Sequence, residues 1–181
     1  MSTLHADATE VLTRWRAPEA RLDELRRRFL EVLHASPDAM TRANAPAHLT
    51  AGVLVLSHDL DAVLLNLHGK ARRWFHFGGH CEPDDATLAG AAAREGREES
   101  GLVDLVLTEE PVHLDAHRVP FCRPHGDVEH LDVRYAARAP RTARAVVSDE
   151  SLDVRWWPLE ALPPIEPEMH ELIALSRAAL A

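Results

Sequence analysis

Apolar residues recur at helical spacing near the two ends of the chain and at strand spacing between them. In "APEARLDELRRRFLEVLHASP", residues 17–37, Leu22, Leu25, Phe29 and Leu33 stand three or four positions apart, with Leu30 and Val32 beside them. Arg, Asp and Glu occupy the opposite side, so the stretch predicts an amphipathic helix. Pro18 suits its first position, and Ser36 with Pro37 suits the cap and first position of a short helix after it. Residues 1–47 therefore read as a helical extension, whose apolar face packs on the main domain or on a second subunit.

From residue 48 the period shortens. "LTAGVLVLS" (49–57) and "AVLLNLH" (62–68) are Val- and Leu-rich runs separated by "HDLD", which predicts two strands joined by a tight connection. "RRWFHF" (72–77) runs into a pair of glycines. "PVHLDAHRVPF" (111–121) and "HLDVRYAARA" (130–139) alternate as half-buried strands do, and "LDVRWWPL" (152–159) predicts one more, with Pro158 at its end or on an edge. Met169, Leu172, Ile173 and Leu180 then return to helical spacing. Strands flanked by helices, with no repeat and no low-complexity linker, predict a mixed α/β layer fold, with a main domain over residues 48–181.

A chain of 181 residues holds one sizeable core more readily than two. The formal charge of -9 argues against a DNA partner, because backbone binding needs clustered Lys and Arg. Cys81 and Cys122 are too few for a disulfide framework and suit a reducing cytosol. No apolar run reaches membrane-spanning length, and the first twenty residues lack a signal peptide's apolar stretch, so the expectation is a cytoplasmic protein with no membrane partner.

The chemistry gathers in "GGHCEPDDATLAGAAAREGREESGL", residues 78–102. A helix over 86–100, entered after Asp84 and Asp85 and stopped by Gly101 as a left-handed cap, places Glu95, Glu98 and Glu99 on one face and Arg94 one turn before Glu98. Leu88, Ala91 and Ala92 form its apolar side, with the carboxylates looking outward. Like charges at this spacing destabilise a bare helix by roughly 0.2–0.5 kcal/mol per pair, and a hard dication reverses that sign. Three carboxylates suit Mg²⁺, or Mn²⁺, better than Zn²⁺. A solvated charged helix surface is the competing reading of "REGREE" taken alone.

This stretch resembles the motif of the Nudix hydrolases, in which a glycine, a later glutamate and then Arg-Glu, an aliphatic residue, any residue, Glu-Glu, any residue, Gly and an aliphatic residue follow at fixed spacing. Gly79, Arg94, Glu95, Glu98, Glu99, Gly101 and Leu102 fall in those places. Asp85 stands for the early glutamate, with one residue too many before Arg94, so it reads either as a helix cap or as a partner for Arg94. Gly96 takes an aliphatic place and, with Gly90, puts two glycines inside the helix, each about 1 kcal/mol less favourable than Ala.

The resemblance implies a Nudix-type α/β/α sandwich with a mixed sheet, here carrying the N-terminal helical extension. It also implies hydrolysis of a nucleoside diphosphate linked to another group, by water attack on phosphorus assisted by Mg²⁺. Glu95, Glu98 and Glu99 would be metal ligands, with Glu98 also a candidate base. Arg94 would orient a glutamate, and Gly79 would let the backbone approach a metal or phosphate. Glu150, in the loop before residue 152, is a second candidate base. Arg73 and His80 are candidates for contacting substrate, and Trp74, Trp156 and Trp157 read as base-stacking or, more simply, as core. Members are often dimers, so the Leu22–Leu33 face is a candidate homodimer interface. A ligand-binding regulatory module is the alternative to an enzyme; an isopentenyl-diphosphate-isomerase-like enzyme would need a cysteine motif that "GGHCEP" does not match.

His117, Cys122, His125 and His130, with His76 and His80 near the glycines, form a histidine-rich set, but their spacing matches no standard zinc pattern. Cys81 as a nucleophile would need a base and a lowered pKa.

Overall fold

A computed structural model describes residues 2–122, 124, 126–148 and 151–181. The chain runs α1 (Thr3–Arg14), α2 (Ala20–Ala35), β1 (Ala47–Leu56), β2 (Ala62–His68), β3 (Trp74–Phe75), β4 (Phe77–His80), α3 (Leu88–Ser100), β5 (Val106–Leu107), β6 (His113–Cys122), β7 (Gly126–Arg138), β8 (Ser151–Pro158) and α4 (Pro167–Leu180). β1 is the hub of the sheet. It runs parallel to β7 along its whole length, from Ala47↔Glu129 to Leu56↔Arg138. Its other edge is shared between β4, antiparallel from Thr50↔His80 to Val53↔Phe77, and the start of β2, antiparallel at Val55↔Leu64. β6 and β5 pair with β7, while β3 and β8 pair with β2.

Helices cover both faces of this mixed sheet, which makes the α/β/α sandwich. One core cluster joins Val53, Leu64, Phe77 and Tyr135 to Leu88 and Ala92 of α3 and to Leu4, Leu12, Leu22, Phe29 and Leu33 of the first two helices. The other joins Leu54, Leu56, Val63 and Leu65 to Met169, Leu172 and Ile173 of α4. Every residue of β1 is buried, as a strand with both faces covered must be.

Several local expectations change. α2 starts at Ala20 with Glu19 as its N-cap, so Pro18 precedes the helix, and Ser36 ends α2. After it come turns and no helix, with the Ser36 hydroxyl accepting from the Asp38 amide at 3.2 Å. The apolar face of α2 is spent inside the chain: Leu22, Phe29 and Leu33 are essentially inaccessible, which removes them as a dimer interface. β7 is buried on both sides from Leu131 to Ala137 rather than half-buried, because Asp132 and Arg134 on its polar side pair with each other at 2.7 Å and Asp132 also accepts from Thr50 at 3.1 Å. Among the tryptophans, Trp74 and Trp157 meet edge to face at 5.2 Å and pack, with α4, on the second core cluster. Trp156 packs on the first.

Candidate active site

α3 begins at Leu88, two residues later than its sequence suggests, because Thr87 is the cap and its hydroxyl accepts from the Gly90 amide at 3.0 Å. Gly101 closes it in the left-handed conformation, φ 72°. The helix lies against β1 and β4. Gly96 accounts for that closeness: a Cβ there would stand 2.7 Å from Cγ1 of Val53. The poor helix propensity of this glycine is thus offset by a short approach to the sheet that an aliphatic residue would prevent.

Two of the three glutamates turn inward. Glu95 and Glu99, one turn apart, face the backbone of β4: the Gly78 amide donates to Glu99 Oε2 at 3.0 Å, and a Cβ on Gly79 would come within 2.8 Å of the Glu95 carboxylate. Gly79 is therefore the cradle of Glu95, a role that any larger residue would fill with its own side chain. Glu99 is buried, whereas the side chain of Glu98 is 55% exposed and sits at the rim. The outward-looking face expected for all three holds for Glu98 alone.

Arg94 knits the arrangement together. Its guanidinium donates to Glu95 Oε1 at 2.9 Å, to Glu98 Oε2 at 3.0 Å and to the carbonyl of His80 at 2.9 Å. It also grips Asp85 in a two-point fork, Nε to Oδ1 at 3.1 Å and Nη2 to Oδ2 at 2.9 Å. Of the two roles open to Asp85, it takes the partner's, despite the extra residue before Arg94. The fork with Asp85 and the nearby Glu95 raise the arginine's pKa above its usual value. Burial alone would push the Asp85 carboxyl up, but the Arg94 fork and the Glu82 amide leave it below the ordinary carboxylate range. The positive charge that keeps Glu95 and Glu98 side by side is, in this structure, Arg94.

These residues fit a hard dication by donor chemistry. Glu95 and Glu99 present carboxylates against a side-chain-free stretch of β4, and Glu98 reaches the same edge from solvent, an all-oxygen set of the kind Mg²⁺ takes.

The other site residues fall elsewhere. Arg73 ion-pairs with Glu166 at the surface. Glu150 and His125 lie outside the described residues. Cys81 is buried, and that burial pushes its thiol up to about 12, which excludes a ready nucleophile. His80 turns its ring away from Arg94 toward Cys122, with Nε2 at 3.3 Å from the sulfur. Burial first, then Arg42 and His48, pulls its pKa down to about 4, so the ring is neutral at pH 7. His117 leaves the expected histidine set for Asp115, at 2.9 Å, and His76 leaves it for Asp132, at 3.1 Å.

Sequence reasoning missed two features. One is the buried group of Thr50, His76, Asp132 and Arg134 under β4, whose polar residues on β7 look like a solvent face when read by alternation. The other is His48, which joins His80, Cys122 and His130 from the far end of β1. The period of 2 along β1 was the only available hint.

The NUDIX domain family model matches residues 46–175. No curated protein matches the chain in sequence. Among solved structures, a NUDIX-family hydrolase from Clostridium perfringens is similar at 24% identity and TM-score 0.56, over 74% of this chain and 95% of that one. A C. elegans Ap4A hydrolase, solved as a binary complex, is similar at 19% identity and TM-score 0.57, over 73% and 96%. The NUDIX domain of Shewanella oneidensis NrtR, complexed with ADP ribose, is similar at 21% identity and TM-score 0.59, over 78% and 93%. At these identities the structural likeness speaks for the fold. The sequence match over most of the chain, together with Arg94, Glu95, Glu98 and Glu99 in the motif's places, carries the assignment: the chain belongs to the Nudix family and is a pyrophosphohydrolase of that family.

Proposed function

We propose that the chain hydrolyses a nucleoside-diphosphate-linked small molecule, or a related diphosphate, with Mg²⁺, or Mn²⁺ in its place, held by Glu95, Glu98 and Glu99. The observation that carries this reading is the packing of the Glu95 and Glu99 carboxylates on the backbone of Gly78 and Gly79. When bound, the dication neutralises charge on the diphosphate oxygens and the leaving group. The chain's own residues position the rest. Arg94 holds Glu95 and Glu98 in place and is itself fixed by Asp85. Glu98, the exposed member, is placed to take a proton from an incoming water. The lack of a side chain at Gly79 leaves room for the Glu95 carboxylate itself, and so for what that carboxylate holds. Glu150 stays in this reading as a second candidate base and Arg73 as a substrate contact, whereas the His80 ring, turned to Cys122, leaves that role.

The division into a helical extension, 1–47, and a hydrolase domain, 48–181, belongs to the same reading and is supported by a family match that starts at residue 46. So does a cytoplasmic location, supported by the two thiols and by the lack, among the described residues, of any helix long and apolar enough to cross a membrane. A homodimer would use a surface other than the buried Leu22–Leu33 face.

The test is a panel of ADP-ribose, a nucleotide sugar and a dinucleoside polyphosphate, incubated with Mg²⁺ in ¹⁸O-labelled water. The expected outcome is cleavage of at least one compound with label in a phosphorylated product, lost in a Glu98→Gln, Glu99→Gln double variant. Tight binding without cleavage would favour the regulatory-module alternative, and cleavage undiminished in the double variant would remove the site.

A further inference from the structure

Four neighbouring strands each send one side chain to a single point beside the glycine strand. His48 comes from β1, His80 from β4, Cys122 from the end of β6 and His130 from β7, and their ligand atoms all lie within 4.8 Å of one another. β4, β1, β7 and β6 are successive neighbours in the sheet, and His48 is the register partner of His130. The convergence is thus built into the pairing of the strands rather than into a loop. The three imidazole rings crowd one another, with centroids 4.8–5.1 Å apart.

We propose that these four residues are a tetrahedral site for Zn²⁺, distinct from the glutamate site on α3. Zinc with nitrogen ligands at about 2.0–2.1 Å and sulfur at about 2.3 Å holds each nitrogen about 3.6 Å from the sulfur in a regular tetrahedron. The Nε2 atoms of His80, His130 and His48 stand 3.3, 3.5 and 3.9 Å from Cys122 Sγ. The set is three imidazoles and one thiolate, the borderline-soft donors that select zinc over Mg²⁺. His48 is also oriented as a ligand: its Nδ1 donates to the Asn44 carbonyl at 2.9 Å, which leaves the Nε2 lone pair facing the cluster. A cation at the centre would take the lone pairs of all three rings and of the thiolate at once, which the weak hydrogen bonds of a thiol match poorly. Four protein ligands close the shell, as structural zinc sites do.

The consequence for the enzyme is positional. His80 offers its ring to this cluster and its carbonyl to Arg94, at 2.9 Å, so the ion would pin the strand on which Glu95 and Glu99 rest. It is a strap across β4, β1, β7 and β6 at the edge of the active site, and takes no part in the hydrolysis.

The test uses the full chain, stripped of metal and titrated with Co²⁺ and then Zn²⁺. Co²⁺ should bind at one equivalent with the visible absorption of a tetrahedral ion and a thiolate-to-cobalt charge-transfer band, and Zn²⁺ should displace it. Cys122→Ser should abolish the charge-transfer band and weaken Zn²⁺ at least about 100-fold, and His48→Ala should weaken it by a similar factor. Cys81→Ser, which removes the chain's other thiol, and Glu95→Gln with Glu99→Gln should leave the band intact. Absence of a thiolate–cobalt band in the folded wild-type chain would overturn the proposal without recourse to any variant. Persistence of the band in Cys122→Ser, or its loss in Cys81→Ser alone, would overturn it too. Because the glutamate variants keep this readout, failure here is distinguishable from failure of the hydrolase reading.

Discussion

The glutamate edge of α3 and the histidine–cysteine cluster lie on either side of one short strand, β4, yet they are built in opposite ways. The glutamates come from two turns of one helix and carry formal charge, with Glu95 and Glu98 kept together by Arg94 and Glu99 held by the Gly78 amide. The cluster comes from four strands, and its members are held by sheet pairing. Oxygen donors at a solvent rim suit a hard ion that arrives with substrate, whereas imidazoles and a thiol in the buried sheet suit a resident one. The strand serves both: Gly78 and Gly79 seat Glu99 and Glu95, and the next residue, His80, joins the cluster.

The largest expected effect separates the two regions directly. Glu99→Gln removes a carboxylate that accepts from the Gly78 amide and should cut the hydrolysis rate on the order of 10²–10³-fold. Zn²⁺ affinity in the same protein should not change, and a parallel loss of both would show the two regions to be one site.

Acid should reach the buried imidazole of His113, outside the cluster, and the Asp85 carboxylate that holds Arg94 in different pH windows. His113 on β6 is buried, and burial, then the Arg134 charge, lowers its pKa to about 4 against the pull of Glu171 and Asp115. The unfolded chain takes up this proton near pH 6.5 and the folded one only near 4, so stability should fall as pH drops through that interval, by up to about 3 kcal/mol. His113→Gln should reduce the fall of the urea midpoint between those values without abolishing it, because His80 carries a similarly lowered pKa. Asp85, held down by Arg94, acts in the same direction but further down the scale: its stabilisation is present above the ordinary Asp pKa and is lost below it, at lower pH than the imidazole effect. A profile without any loss between pH 6.5 and 4 would contradict the buried neutral imidazole.

Two glycines sharpen the contrast between chemistry and packing. Gly79→Ala sets a methyl against the movable end of Glu95, so it should lower activity about 10–100-fold while leaving the melting temperature nearly unchanged. Gly96→Ala sets one against a buried methyl of Val53 instead. Overpacking of about 1–3 kcal/mol less about 1 kcal/mol of helix propensity leaves a net loss of up to about 2 kcal/mol. At about 2–4 °C per kcal/mol for a chain of this size, melting temperature should fall by a few degrees with activity largely kept. The reverse pattern in either variant would misplace that glycine.

The difference in construction also decides what could be read from the residues alone. Arg94, Glu95, Glu98 and Glu99 are neighbours in the chain, so helical periodicity and a spaced motif locate them together. Two of the three nevertheless face inward, since the direction of α3 is set by Val53 and β4, which no local period reports. His48 and His130 are 82 positions apart and meet only because β1 and β7 run parallel in that register. Reading along the chain collected His80, Cys122 and His130 but grouped them with His117 and His76, which pair with Asp115 and Asp132. β1, β2, β6, β7 and β8 were legible from the apolar runs, whereas the short β3, β4 and β5 were not. The inward polar side of β7 was not legible either, because its partners Thr50 and His76 come from elsewhere in the chain; the Thr87 cap is local, its hydroxyl meeting the Gly90 amide three residues on, and Asp84 and Asp85 obscured it.

The most direct measurement is the Mg²⁺ dependence of diphosphate hydrolysis by the wild-type chain and by a Glu95→Gln, Glu99→Gln variant matched in melting temperature. A wild-type rate that rises and saturates with Mg²⁺, and a variant rate that stays near background at every concentration, is the predicted result. Equal Mg²⁺ curves for the two proteins would contradict the assignment of the ion to α3.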